Sequence, residues 1–236
     1  MPQPRAQFLL FDGFDPLDVI APYEVLSAGR DLMGGGALDL EFVSAEGARE
    51  VVSGIRGIAL NATATLDPAV PGYVVVPGAA GPLNGDSDEV DTIPVQLSQF
   101  AAGAALLLRE CVDNPAVTVA TVCGGSLGLA MAGLLEGRTA TTHVLGVDLL
   151  AATGVTAVRA RVVDDGDLVS AGSVTSGLDL GLYLLERDFG PQIAHAVEEL
   201  FEYERRGTTW KSGGLAGHSR AGRLPRTRVT GQRSDV

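Results

Sequence analysis

Four short runs limit what this chain can fold into: AQFLLF (6–11), LDLEFVSA (38–45), YVVVPG (73–78) and AVTVATV (116–122). Most are apolar at consecutive positions rather than at alternate ones. A strand with one wet face alternates, whereas a strand covered on both faces does not, and such strands belong to parallel sheets sandwiched between helices. Helical patterns stand between the runs, over 22–30, 95–111 and 125–135. The alternation predicts an α/β fold, a parallel sheet with helices on both faces, joined by right-handed βαβ crossovers. VVSGIRGIAL (51–60) predicts a β-hairpin, with apolar runs flanking Gly54 and Gly57. VRARVVDDGDLVSAG (158–172) predicts a second, turning at Asp165 and Gly166. Two helices are expected after it, over 175–188 and 191–206, with Pro191 at a first helical position.

Residues 1–207 thus form one α/β domain with enough apolar content to build a core. Residues 208–236 are Gly- and Arg-rich with no apolar periodicity, and are expected to be a basic, disordered tail. The formal charge of −12 is unevenly spread. Arg205, Arg206, Lys211, Arg220, Arg223, Arg226, Arg228 and Arg233 oppose only Asp235 after position 204, so the body is more acidic than the whole. An acidic body repels nucleic acid and anionic membranes, and neither is expected as a partner. The start has one basic residue before a short apolar run and no small-residue cleavage site, and no run reaches the roughly 20 apolar residues of a membrane helix. With only Cys111 and Cys123, and no disulfide or zinc spacing, a reducing cytoplasm is expected.

The segment VTVATVCGGSLGLAMAGLL (117–135) carries the chemistry. If 117–122 is a strand and Gly125 opens a helix, Cys123 occupies the strand-to-helix turn at the carboxyl edge of the sheet, where open α/β sheets hold their sites. The helix end and nearby N–H groups there favour thiolate over thiol. Gly124 and Gly125 permit the sharp turn and can aim an N–H at a developing oxyanion. GGSLG (124–128) also matches a serine nucleophile elbow, with an acid from Asp148, Asp179 or Asp188 and His195 as base. The strand ends at Val122, however, which puts Ser126 about one turn into the helix. Cys111, at the end of an apolar helix, reads as a small buried hydrophobe.

FDGFDPLDVIAPYEVL (11–26) follows the first strand and should share that carboxyl edge. Asp12, Asp15, Asp18 and Glu24 are all candidate carboxyls facing the thiol. Asp15 before Pro16 suits a helix cap, and Pro22 as a first helical residue would put Glu24 in a first turn. Asp18, between Leu17 and Val19, is an acid in apolar surroundings and needs a partner or a raised pKa. VVVPGAAGP (74–82) ends another strand, and the N–H groups of Gly78 and Ala79 could complete an oxyanion pocket beside Cys123.

Together these segments resemble the ThiJ/PfpI superfamily, in particular its isonitrile hydratase branch, over about residues 6–206. LDVIAPYEVL is similar to that branch's Asp followed by Gly-Pro-Tyr-Glu-Val, and VPGAAG to its Pro-Gly-Gly loop. TVCGGSLGLAMAGLLEGRTATTH resembles its elbow and Ala-Thr-Thr-His segment, and SVTSGLDLGL its Gly-Val-Thr-Ala-Gly-Ile-Asp run. The same body also serves as the sensor half of AraC-type regulators. The resemblance implies a flavodoxin-like fold and a homodimer, with Cys123 at a nucleophile elbow and Asp18 as the acid facing it. Gly78, Ala79 and Gly124 would supply backbone N–H groups, and His143 either a third catalytic group or a structural one beneath the elbow. The implied reaction is hydration of a small isonitrile to an N-substituted formamide through a thioimidate on Cys123, with no metal or cofactor. The hydratases carry Thr after the cysteine and Trp after the histidine, where this chain has Gly124 and Val144. The resemblance equally allows a ligand- or oxidation-sensing domain without catalysis, or a glyoxalase- or amidase-like relative.

Overall fold

The computed structural model describes residues 3–84 and 92–213. In chain order the strands are β1 (Arg5–Leu10), β2 (Asp39–Ser44), β3 (Arg49–Val52), β4 (Ala59–Ala62), β5 (Ala64–Thr65), β6 (Gly72–Val76), β7 (Val117–Val122), β8 (Thr139–Ala140), β9 (Thr156–Ala157), β10 (Val162–Asp164), β11 (Leu168–Ala171) and β12 (Trp210–Lys211). The helices are α1 (Pro16–Leu32), α2 (Ile93–Asp113), α3 (Gly125–Met131), α4 (Val147–Ala152), α5 (Ser176–Phe189) and α6 (Pro191–Phe201).

The result is a mixed α/β fold of the flavodoxin-like kind. Its main sheet has the order β12-β10-β11-β7-β6-β1-β2-β5, parallel except where β10 runs against β11. The apolar runs occupy its centre. Phe8, Leu9 and Leu10 of β1, Val74, Val75 and Val76 of β6, and Val119, Ala120 and Val122 of β7 are all buried. Continuous burial follows from cover on both sides: α1, α5 and α6 pack as one group and α2 with α3 as another. Both expected hairpins form, β3 with β4 and β10 with β11.

Two expectations are corrected. The first helix begins at Pro16, not Pro22. Asp15 caps it, its Oδ1 accepting the Leu17 N–H at 3.0 Å, and Pro16 sits at the first position, where a missing N–H costs nothing. Pro22 is tolerated inside because its ring packs on α5: a Cβ at Gly177 would come within 2.9 Å of Pro22 Cδ. Tertiary contact overrides the propensity. The expected boundary at residue 207 also fails, since β12 pairs with β10 through Val163 with Trp210 and Asp164 with Lys211. Asp179 holds this segment in place. Its Oδ1 accepts the Arg206 N–H at 2.8 Å, while Oδ2 accepts from Arg161 at 2.7 Å and from the Tyr203 hydroxyl at 2.9 Å. Residues 214–236, the rest of the expected tail, lie outside the described residues. No helix among the described residues is long and apolar enough to cross a membrane.

Candidate active site

The chain leaves β1 toward β2 and β5 on one side, then returns to β6 and β7 on the other. The carboxyl ends of β1, β6 and β7 therefore meet at a topological switch point, the usual place for a site in such a sheet. Cys123 follows β7 directly. Its φ of 53° lies in the left-handed region, a strained conformation for a residue with a Cβ. The turn is pinned from several directions. The Cys123 N–H donates to the Ala171 carbonyl at 2.9 Å, and its own carbonyl accepts the Thr142 hydroxyl at 2.8 Å and the His143 N–H at 3.3 Å. Strain held by so many bonds characterises a nucleophile elbow. Thr142 entered the sequence reading only as part of the Ala-Thr-Thr-His segment, and its hold on the elbow carbonyl was not foreseen.

Asp18, in the first turn of α1, is fully buried. Its Oδ2 accepts the Gly78 N–H at 2.9 Å, and its Oδ1 has no hydrogen-bond partner among the described residues. A Cβ at Gly78 would stand 2.6 Å from Gly124 N and 3.0 Å from Asp18 Oδ2. The carboxyl and the residue following Cys123 thus border one small space, which only glycine leaves open. Burial pushes Asp18 well above the usual carboxylate range; the Asp15 charge adds to this, and the Gly78 N–H opposes it.

Burial works against the expected thiolate at Cys123. Burial pushes the thiol up, the charges of Asp18 and Asp15 push the same way, and the Gly124 N–H opposes them without prevailing. Burial likewise favours the protonated form of Asp18, so the two groups titrate as a coupled pair.

Other candidates separate from the pair. The Gly78 N–H is committed to Asp18 and is not a free oxyanion donor. The Ala79 N–H has no partner among the described residues, and the Gly124 N–H faces the sulfur. Glu24 is exposed on the outer surface of α1, beside Ser27 and Leu200, because the earlier helix start removes it from the first turn. His143 caps a single helical turn, Val144–Gly146, its Nδ1 accepting the Leu145 N–H at 3.3 Å. Asp12 is tied to Arg49. Ser126 is buried in α3 and donates to the Thr141 carbonyl at 2.6 Å, while His195 is exposed on α6, so no serine triad forms. Cys111 is buried, its thiol pushed up to about 12 mainly by burial. No group of three or more His, Cys, Asp and Glu among the described residues could hold a metal ion.

Residues 4–187 match the DJ-1/PfpI family. The chain belongs to the DJ-1/PfpI family. Within it, the chain is 35% identical over 199 residues to isonitrile hydratase of Pseudomonas putida, a match covering 83% of this chain and 77% of that one. It is 27% identical to the HTH-type transcriptional regulator CdhR of Pseudomonas aeruginosa, covering 82% of this chain and 53% of the regulator. The crystal structure of a ThiJ/PfpI family protein from Pseudomonas syringae superposes with a TM-score of 0.67 at 26% identity, covering 88% of this chain and 78% of that one. This DJ-1/PfpI chain therefore has the family architecture that its motifs suggested.

Proposed function

We propose that this protein is a cysteine-dependent hydratase that converts an isonitrile to an N-substituted formamide. The observation that carries the reading is geometric: a buried Asp18 carboxyl with one unpartnered oxygen borders the same small space as the strained turn at Cys123 and Gly124. The terminal carbon of an isonitrile must gain both a proton and a nucleophile. In the first step Asp18 gives its proton to that carbon, Cys123 Sγ forms a bond to it, and the thiol proton passes to Asp18, leaving a thioimidate. Water then adds to the thioimidate carbon, the carbon–sulfur bond breaks, and the sulfur recovers a proton as the formamide leaves. Atoms balance with water as the only co-substrate. The Ala79 and Gly124 N–H groups are suited to stabilising charge during water addition.

The similarity to the P. putida hydratase supports the substrate class. Leu17 precedes Asp18, and Val144 and Leu145 follow His143. All three are exposed, which suits an apolar substituent on the isonitrile nitrogen. A reducing cytoplasm suits the free thiol, and the reading includes a homodimer, testable by sedimentation.

The purified protein is expected to release formamide from an alkyl isonitrile, followed chromatographically. Cys123→Ser and Asp18→Asn should each lower turnover by at least about a thousandfold with the fold retained. Absence of formamide from the parent protein, or undiminished turnover in either variant, would overturn the assignment.

A further inference from the structure

Thr142 stands on a segment that is itself anchored on two sides. The Thr141 N–H donates to Ser170 Oγ of β11 at 2.9 Å, and the Thr141 carbonyl accepts the hydroxyl of Ser126, fully buried in α3, at 2.6 Å. From that frame the Thr142 hydroxyl, also buried, donates to the Cys123 carbonyl at 2.8 Å, and the His143 N–H adds a longer bond at 3.3 Å. A peptide group is planar, with its C=O and N–H pointing opposite ways. The unit that joins Cys123 to Gly124 is therefore held by its oxygen, and its N–H is turned to the other side. On that side lies the buried acid: a Cβ at Gly78 would stand 2.6 Å from Gly124 N and 3.0 Å from Asp18 Oδ2, so the Gly124 nitrogen borders the space it shares with Asp18.

We propose that Thr142 is a positioning residue, its hydroxyl holding the Cys123–Gly124 peptide group so that the Gly124 N–H points into the space between Cys123 and Asp18. The proposal rests on the reading that this space is the reaction centre. Thr142 touches no reacting atom and acts through the peptide group it holds. The left-handed backbone of Cys123 gives that hold a purpose. A residue with a Cβ leaves this conformation unless bonds resist, and the turn that relieved it would swing the Gly124 N–H away from the sulfur. The Ala171 carbonyl fixes the peptide group before Cys123, through the Cys123 N–H at 2.9 Å, and Thr142 fixes the one after it. The same arrangement accounts for the buried Ser126, whose hydroxyl supports the segment that carries Thr142.

The test uses the full chain. Thr142→Val removes the hydroxyl at nearly constant volume, Thr142→Ala removes it with a smaller side chain, and Thr142→Ser keeps it. Hydrogen exchange at the Gly124 amide is followed by nuclear magnetic resonance and compared with buried amides of β1 and β6. It should speed up at least about tenfold beyond those amides in the two variants without the hydroxyl, and stay near the parent in Thr142→Ser. Turnover of an alkyl isonitrile should divide the same way. In the two variants without the hydroxyl kcat falls at least about tenfold with KM within about twofold of the parent, and Thr142→Ser recovers kcat. A role confined to packing lowers melting alone, or lowers kcat in Thr142→Ser as far as in the other two, and either result overturns the proposal. So does a Gly124 amide that exchanges freely in the parent, or at an unchanged relative rate once the hydroxyl is gone. Where the parent releases no formamide, the hydratase reading fails and exchange at Gly124 alone decides the proposal.

Discussion

Gly78 shows how narrow the tolerance of the site is. Its N–H holds the acid, its carbonyl holds the Asp15 N–H, and its missing Cβ leaves the space between Asp18 and Gly124. Gly78→Ala should therefore cut the proposed formamide release at least about tenfold while far-ultraviolet circular dichroism stays unchanged, since the clash falls on Gly124 and Asp18 rather than on the sheet. Asp18 bears on stability as well as chemistry. Its carboxyl titrates higher folded than unfolded, so the stability it contributes is complete below the ordinary carboxylate range. That stability is lost as pH rises through the raised folded value. Asp18→Asn cannot ionise and can still accept the Gly78 N–H. It should melt above the parent at about pH 8, with the gap closing toward about pH 4; a gap independent of pH would refute the raised carboxyl.

The α1–α5 contact is close because glycines line it: a Cβ at Gly181 would lie 2.8 Å from Val25 Cβ and one at Gly177 would lie 2.9 Å from Pro22 Cδ. Gly181→Val should destabilise by about 2 kcal/mol, read as a lower denaturant midpoint, because two rigid helices must part. The glycine stripe was visible in SVTSGLDLGL, but its partner was not. The same asymmetry runs through the rest of the molecule. β1, β6 and β7 were legible because burial on both faces leaves apolar side chains at every position. Cys123 and Asp18 were legible because a thiol at a turn and an acid among aliphatics demand an explanation. The start of α1 was legible in part: Asp15 before Pro16 suited the cap it forms, but the packing that admits Pro22 inside the helix comes from α5, more than a hundred residues away. The true partner of the Gly78 N–H was not legible, because the direction of a peptide group leaves no mark on side-chain identity.

The eight-stranded sheet ends on both sides in strands of two residues, β5 and β12, leaving little unpaired edge for another chain to join. β12 arrives from the far end of the described chain and depends on Asp179, which is 3% exposed and bonds Arg161, Tyr203 and the Arg206 N–H together. Asp179→Asn leaves Arg161 without its counter-charge and should destabilise by about 3 kcal/mol, with proteolysis after Tyr203 appearing first. Trp210 fluorescence would report the release. The left-handed backbone at Cys123 carries a different implication. Glycine relieves that conformation and asparagine relieves the sequestered acid at 18, so a mutant library selected only for surviving heat should enrich both replacements. On the proposed chemistry, the two positions where survivors most often gain robustness would then be the ones where they fall chemically silent, and the selection would chart the proposed reaction centre by erasing it.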